Sequence, residues 1–294
     1  MSETLGNLRR KISSAGKLGS VVRTMKALAA SNIGQYESAV RALADYDRTV
    51  QLGLAAFFRQ DGPATGGEQS ARQDQRAVAV VVFGSDQGLV GKFNEALVEF
   101  TVTVLGALPG EKKLWAVGER VHSRLQDVGL PPVGAFVVPN SVAAITSLVG
   151  QILTEFEKHR QQGEVGQVYL VHNRPRAESI YEPVSQRLLP LDEQWRRRLT
   201  EIGWPTVNLP EILVSGETTL SAFIREYLFV SLFKACAESL AGENASRLAA
   251  MQRAEKNIEE LLENLSRSFH RLRQSTIDEE LFDVVAGYEL LGGE

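Results

Sequence analysis

The chain has 294 residues, 44% of them apolar and 23% charged, with a net charge of −4. This is ordinary globular composition, enough for one large domain or two small ones, and the acidic balance excludes a strongly basic nucleic-acid binder on global charge. The longest uninterrupted apolar run, Ala77–Phe83, has seven residues, where a bilayer span needs about 20. The opening "MSETLGNLRRKISS" has no apolar core of the kind a secretory signal carries, so a soluble, intracellular chain is expected.

From Leu5 to Phe58 there is no proline, and apolar residues step by three and four: Leu5, Leu8, Ile12, Ala15, Leu18, Val22, Met25, Ala29 and on to Tyr46, Val50, Leu54 and Phe57. That narrow stripe predicts a long coiled-coil helix over 1–58, about 80 Å long at ~1.5 Å per residue. Residues 1–30 carry six basic side chains against one acid, Glu3. By pattern alone that is a solvated helix face. The segment "RQDGPATGGEQSARQDQR" (59–76) is rich in Gly and polar residues and reads as a flexible loop.

The period then changes. Over 77–210, apolar runs with strand character ("AVAVVVF", "KLWAVG", "GAFVVP", "GQVYLVHNR", "YEPVSQRLLPL") alternate with amphipathic stretches. This order predicts a Rossmann-like α/β domain with helices on both faces of its sheet. The first run feeds "GSDQGLVGKFN" (84–94), which has the look of a phosphate loop. Its spacing argues otherwise. A P-loop needs a glycine five residues before its Gly-Lys and a hydroxyl after it, but Asp86 and Phe93 hold those places around Gly91-Lys92. The glycines at 84, 88 and 91 do not follow G-x-G-x-x-G either. "WRRRL" (195–199) is a basic cluster facing either solvent or a partner.

From 211 to 294 there is again no proline, and a second three-and-four stripe runs from Leu220 to Tyr288. A helix of that length would extend about 110 Å. Each stripe needs a partner and the nearest is the other, so the two terminal helices are expected to form an antiparallel coiled coil. The C-terminal helix is the longer, so part of it should project, and the apolar residues of "LFDVVAGYELL" would be costly in water unless another protein covers them. The end from Asp278 to Glu294 has six acids and no base, which fits either insertion into a sleeve of other chains or a solvated tail. The single cysteine, Cys236, reads as a small buried side chain. Four scattered histidines (122, 159, 172 and 270) predict no metal site.

Three stretches carry a resemblance. "LRRKISSAGKLGSVVRTMKALAASNI" (8–33), "GSDQGLVGKFN" and "GENASRLAAMQRAEKNIEELLENLSRSFHRLRQSTIDEEL" (242–281) resemble, in order, the N-terminal helix, the central signature and the C-terminal signature of the gamma subunit of F-type ATP synthases. The residues that carry it are Ser85, Asp86, Gly88, Gly91, Phe93 and Asn94 in the middle, with Glu243, Arg247, Ala250, Met251, Ala254 and Asn257 toward the end. Arg273, Gln274, Ile277, Glu280 and Leu281 match further on. Where the family has Arg, Cys and Gly, this chain has Gln87, Val90 and Lys92; the family's Lys and Thr-Gln are here Asn32 and Asp278-Glu279. Such drift points to a divergent, bacterial branch.

The resemblance implies a non-catalytic rotor shaft without cofactor or metal, which couples ion flow through a membrane ring of c subunits to ATP synthesis or hydrolysis on a hexamer of alpha and beta subunits. It further implies an α/β domain near the epsilon subunit and the c ring, and a peripheral place on the cytoplasmic side of a bacterial inner membrane. The implied partner-facing residues are a basic track of Arg9, Arg10, Lys11, Arg23 and Lys26, together with Arg273, Gln274, Asp278, Glu279 and Leu281. The signature glycines would permit a turn with φ > 0, and Ser85 and Asp86 would cap the helix that follows. The rival readings are an α/β enzyme that binds nucleotide or sugar phosphate, for which 77–210 offers no convergent catalytic groups, and a structural scaffold whose long helices pair between two chains.

Overall fold

The computed structural model describes residues 4–60, 77–176, 180–191, 193–208 and 216–291. Its first and last elements are the two long helices, α1 (Leu5–Gln60) and α6 (Gly216–Leu291). Between them lie β1 (Ala77–Phe83), α2 (Phe93–Ala107), β2 (Lys112–Val117), α3 (Glu119–Asp127) and β3 (Gly134–Phe136), then α4 (Val142–Gln161), β4 (Val165–Arg174), β5 (Glu182–Leu189) and α5 (Glu193–Glu201). Helix α1 runs two residues past its expected end at Phe58, and the remainder of the expected loop, 61–76, lies outside the described residues. The chain divides into two compact units. One is Met1–Ala29 with Leu248–Glu294, the other Ala30–Arg247. The second unit thus takes in long stretches of both helices that the stripe alone assigns to the coiled coil.

In the second unit the sheet order is β3-β2-β1-β4-β5, parallel except for the antiparallel β4–β5 pair. All seven residues of β1 are buried, because both faces are covered, and a strand buried on both faces reads as an unbroken apolar run. Alternation along the pleat sends Val78, Val80 and Val82 to one side, against Leu97 and Leu105 of α2 and Val121 and Leu125 of α3. It sends Ala79, Val81 and Phe83 to the other, against Ile145 and Ile152 of α4 and against Leu232, Phe233 and Leu240 of α6, with Tyr36 of α1. Helix α6 is therefore a layer of the α/β domain as well as a coiled-coil strand.

Helix α5 holds its apolar Trp195 and Leu199 against Leu54, Phe58 and Tyr227. It absorbs much of the basic cluster into structure. The Arg196 guanidinium stacks 4.5 Å from the Phe58 ring centre, Arg197 pairs with Glu193, and Arg59 closes the helix by donating to the carbonyls of Thr200 and Ile202.

In the first unit α1 and α6 pair antiparallel. Leu8, Ala15, Val22 and Ala29, seven residues apart, are buried on α1, and Val22 packs with Met251 and Ile258. The seam departs from the expected stripe at Leu18, which is 53% exposed, while its neighbour Gly19 is buried with Ile258 Cγ2 lying 3.4 Å from where a Cβ would sit. A residue without a side chain lets the helices approach there, and the leucine is turned to the flank. The stripe departs again at Tyr46, in the second unit, which is 44% exposed and donates from its hydroxyl to Glu226.

Candidate functional site

The signature loop 84–92 leaves the C-terminal end of β1 at the point where strand order reverses, with β2 on one side and β4 on the other. In open α/β sheets this switch point is where ligands sit. Here the place is taken by the chain's own helix. Ser239 of α6 donates to the carbonyl of Phe83 at 2.9 Å and Ser246, two turns on, donates to the carbonyl of Val90 at 2.5 Å. A Cβ on Gly242, between them, would sit 3.4 Å from the Asn173 carbonyl and 3.6 Å from the Phe93 ring. Asn173 in turn donates to the carbonyl of Phe93 at 2.9 Å. One face of α6 thus fills the crevice a nucleotide would need.

Within the loop several signature residues have mechanical tasks. Gly84 lies so close to Val121 of α3 that an added Cβ would come within 2.3 Å of it. Of the three signature glycines only Gly91 has a left-handed backbone, φ 59°; Leu89 shares that conformation at φ 62° and is 62% exposed. Ser85 is buried, takes Asn94 Oδ1 on its amide and Asn94 Nδ2 on its hydroxyl, and so closes the loop onto α2. Asp86 caps a helix, but not the one that follows. Its Oδ1 accepts from the amide of Glu119, the first residue of α3, and its Oδ2 from the amide of Val138 just after β3. One carboxylate thereby joins three loops at the C-terminal edge of the sheet, and the negative charge suits a helix N-terminus. The expected capping of α2 by Ser85 and Asp86 is corrected accordingly: no side chain caps that helix.

Behind the loop lies a buried polar cluster. Glu243 holds Arg247 at 2.6 Å, one turn away, while its other oxygen, Oε2, has no hydrogen-bond partner. Burial pushes the Glu243 carboxyl above its ordinary range against the pull of Arg247, with the negative Asp86 adding to the rise. Burial also raises the Tyr36 hydroxyl and the Cys236 thiol, the latter a buried side chain as expected. His172, at the end of β4, bonds Glu238 at 2.8 Å and is buried. No signal in the sequence links it to that partner. Among the described residues no group of three or more His, Cys, Asp or Glu could hold a metal ion.

The residues expected to face partners fall in the first unit. Arg9, Arg10, Lys11 and Arg23 are exposed on α1, with Arg9 also 5.8 Å from the ring centre of Phe269. Lys26 differs, being half-buried and paired with Glu255 across the seam. Arg273, Gln274, Asp278, Glu279 and Leu281 are all exposed on α6, and Gln274, Asp278 and Glu279 border a shallow depression with Arg271 and Phe282. Met251 is instead a seam residue, 2% exposed.

A two-helix seam, and an α/β domain whose own helix occupies the crevice at the reversal of strand order, define the class of fold. Comparison with known proteins gives the class its members. The family model described as ATP synthase matches residues 4–291. The chain is 29% identical over 304 residues to the ATP synthase gamma chain of Frankia casuarinae, covering 99% of each, and 28% identical to that of Rubrobacter xylanophilus, covering 98% of each. Its fold is similar to a chain of the Euglena gracilis mitochondrial ATP synthase in an OSCP/F1/c-ring assembly, with a TM-score of 0.65, 16% identity and coverage of 98% and 94%. A rotor chain of the same organism's synthase gives 0.62 at 17% identity, covering 93% and 98%. The chain belongs to the ATP synthase gamma-subunit family, whose place is the central stalk of the rotary complex.

Proposed function

We propose that this chain is a non-catalytic rotor shaft, turning inside a hexamer of alpha and beta subunits that carries the catalysis. It couples rotation of a c-subunit ring, driven by ion flow, to ATP synthesis or hydrolysis. The α/β domain meets the ring and an epsilon subunit, one copy per complex, at the cytoplasmic face of a bacterial inner membrane. No described helix is long and apolar enough to cross a bilayer, so attachment runs through the partners. The observation that carries this reading is the first unit. Its two helices cover each other along one seam, and their outer surfaces carry Arg9, Arg10, Lys11 and Arg23 on one side and Arg273, Gln274, Asp278, Glu279 and Leu281 on the other.

Exposed ion pairs contribute only about 0–1 kcal/mol each, and weak contacts suit a shaft that must slip from one catalytic subunit to the next. Lys26, the fifth basic residue of the expected track, pairs with Glu255 across the seam. The test is ATP-driven rotation of the reconstituted complex carrying Arg9→Glu, Arg10→Glu and Arg23→Glu together. Torque and coupling are expected to fall. Unchanged torque would remove the basic track from the mechanism, and ATP hydrolysis by the purified chain alone would remove the non-catalytic reading.

A further inference from the structure

Two surfaces of the first unit match each other and have no partner among its described residues. Arg9 lies level with Phe269, so α1, which starts at Leu5, ends opposite about residue 273. The last ~18 residues of α6 therefore extend some 27 Å beyond it. On this overhang Leu281, Val284 and Tyr288 are 60%, 69% and 79% exposed. The second surface is the outer flank of α1, where Leu18, Val21 and Leu28 are 53%, 55% and 61% exposed, while Met25 between them turns into the seam beside Met251 and Ile258.

The spacings agree. Leu18 and Val21 are three apart with Leu28 seven further on, and Leu281 and Val284 are three apart with Tyr288 four further on. Laid side by side and parallel, the two stripes stay in phase as the a and d positions of a heptad do. The charges agree too. Beside the overhang stripe lie Asp278 and Glu280 with no base, and beside the flank stripe lie Arg10 and Lys17 with no acid, all exposed. The lengths match as well, since residues 10–28 of a helix span about 27 Å.

The overhang continues α6 as one unbroken helix and cannot fold back onto its own α1, so the flank it fits is that of another copy. We propose that the unassembled chain forms a two-fold dimer in which the α6 overhang of each copy packs, parallel, on the outer flank of α1 of the other. Each copy offers one acidic stripe and one basic stripe, so a two-fold axis satisfies all four surfaces and closes the assembly. The dimer covers the apolar end of the shaft before assembly, and the proposal does not rest on the rotor reading.

The experiment is light scattering and analytical ultracentrifugation on the full-length chain and two charge-reversed variants. Wild type is expected as a salt-sensitive monomer–dimer equilibrium. Arg10→Glu with Lys17→Glu makes both stripes acidic, and Asp278→Lys with Glu280→Lys makes both basic. Each variant alone is expected to be monomeric, and an equimolar mixture to recover the dimer as a heterodimer. Monomeric wild type, open-ended larger particles, dimers in either variant alone, or no recovery from two folded variants overturns the proposal. Where a reversal unfolds the chain, mixing Val21→Cys with Val284→Cys decides. A disulfide heterodimer is expected because Cys236 is buried and silent, and its absence counts against the dimer.

Discussion

Residues 5–29 of α1 bury only Leu8, Ala15, Gly19, Val22 and Ala29, one or two positions per heptad, whereas farther along the same helix Leu54, Ala55, Ala56 and Phe57 are buried in succession. Helix α6 shows the same contrast. From Ser231 to Asn244 only Lys234 and Glu238 escape full burial, while from Glu259 to Tyr288 no residue is fully buried. A two-helix seam hides one stripe from water; an α/β domain that uses the helix as a layer hides most of its circumference. One continuous helix can therefore be structural core in one stretch and exposed contact surface in the next, and core substitutions should cost more in the second unit than in the first.

The largest expected effect tests that directly. Leu232→Ala removes a fully buried side chain between α6 and the sheet and should destabilise the chain by about 2–5 kcal/mol. Val22→Ala, at 6% exposure on the two-helix seam, should cost only about 1–2 kcal/mol. Denaturant unfolding of both variants checks the pair, and equal losses would erase the distinction between the two stretches. Next in size is Asp86→Ala. It orphans two amides that now share one carboxylate, for a loss of about 1–2 kcal/mol. Asp86→Asn keeps one strong acceptor and should lose roughly half as much, a ranking that thermal melts can read.

A third prediction concerns pH. Glu243 in the fold lies above its ordinary 4.5, so the native state binds more proton than the unfolded chain across the interval between the two values. The sign follows. The favourable contribution of Glu243 is fully present below about 4.5 and is lost as pH rises through the folded value. Glu243→Gln should remove that decline, leaving a stability curve flatter on the acid side than wild type. Parallel curves for the two proteins would mean that the charge on Glu243 is fully compensated by Arg247. No seam residue of the first unit offers an equivalent buried carboxyl.

Much of this was legible in the sequence because period reports environment. β1 announced itself by an apolar run, α4 by its amphipathic length, and the terminal helices by stripes sustained without proline. The signature loop was legible as a loop whose spacing departs from the nucleotide-binding patterns. What occupies the crevice instead was not, since the bond from Ser246 to Val90 spans 156 residues and leaves no mark in local spacing. The capping of α3 by Asp86 across 33 residues was hidden for the same reason. Helix α5 was missed because three consecutive arginines dominate its nine residues, leaving Trp195 and Leu199 as the main apolar markers. Leu18 was assigned to the seam because a stripe drawn from hydrophobicity gives no weight to glycine, although close helix approach selects glycine.

The smallest expected effect separates a seam contact from a partner contact at Lys26. Its ammonium and the Glu255 carboxylate meet between side chains 35% and 17% exposed, a partly screened pair that should contribute at most about 1 kcal/mol. Lys26→Ala and Glu255→Ala should each destabilise the chain by a few tenths of a kcal/mol, and the double variant by less than their sum. The sequence pattern groups Lys26 with Arg9, Arg10 and Arg23, and a partner-facing lysine would behave differently. Its loss would leave the free chain's stability unchanged and alter rotation instead. The cycle on the isolated chain, set beside rotation of the complex carrying Lys26→Ala, assigns the residue to the seam or to the track, because coupling with Glu255 can be measured with no alpha or beta subunit present.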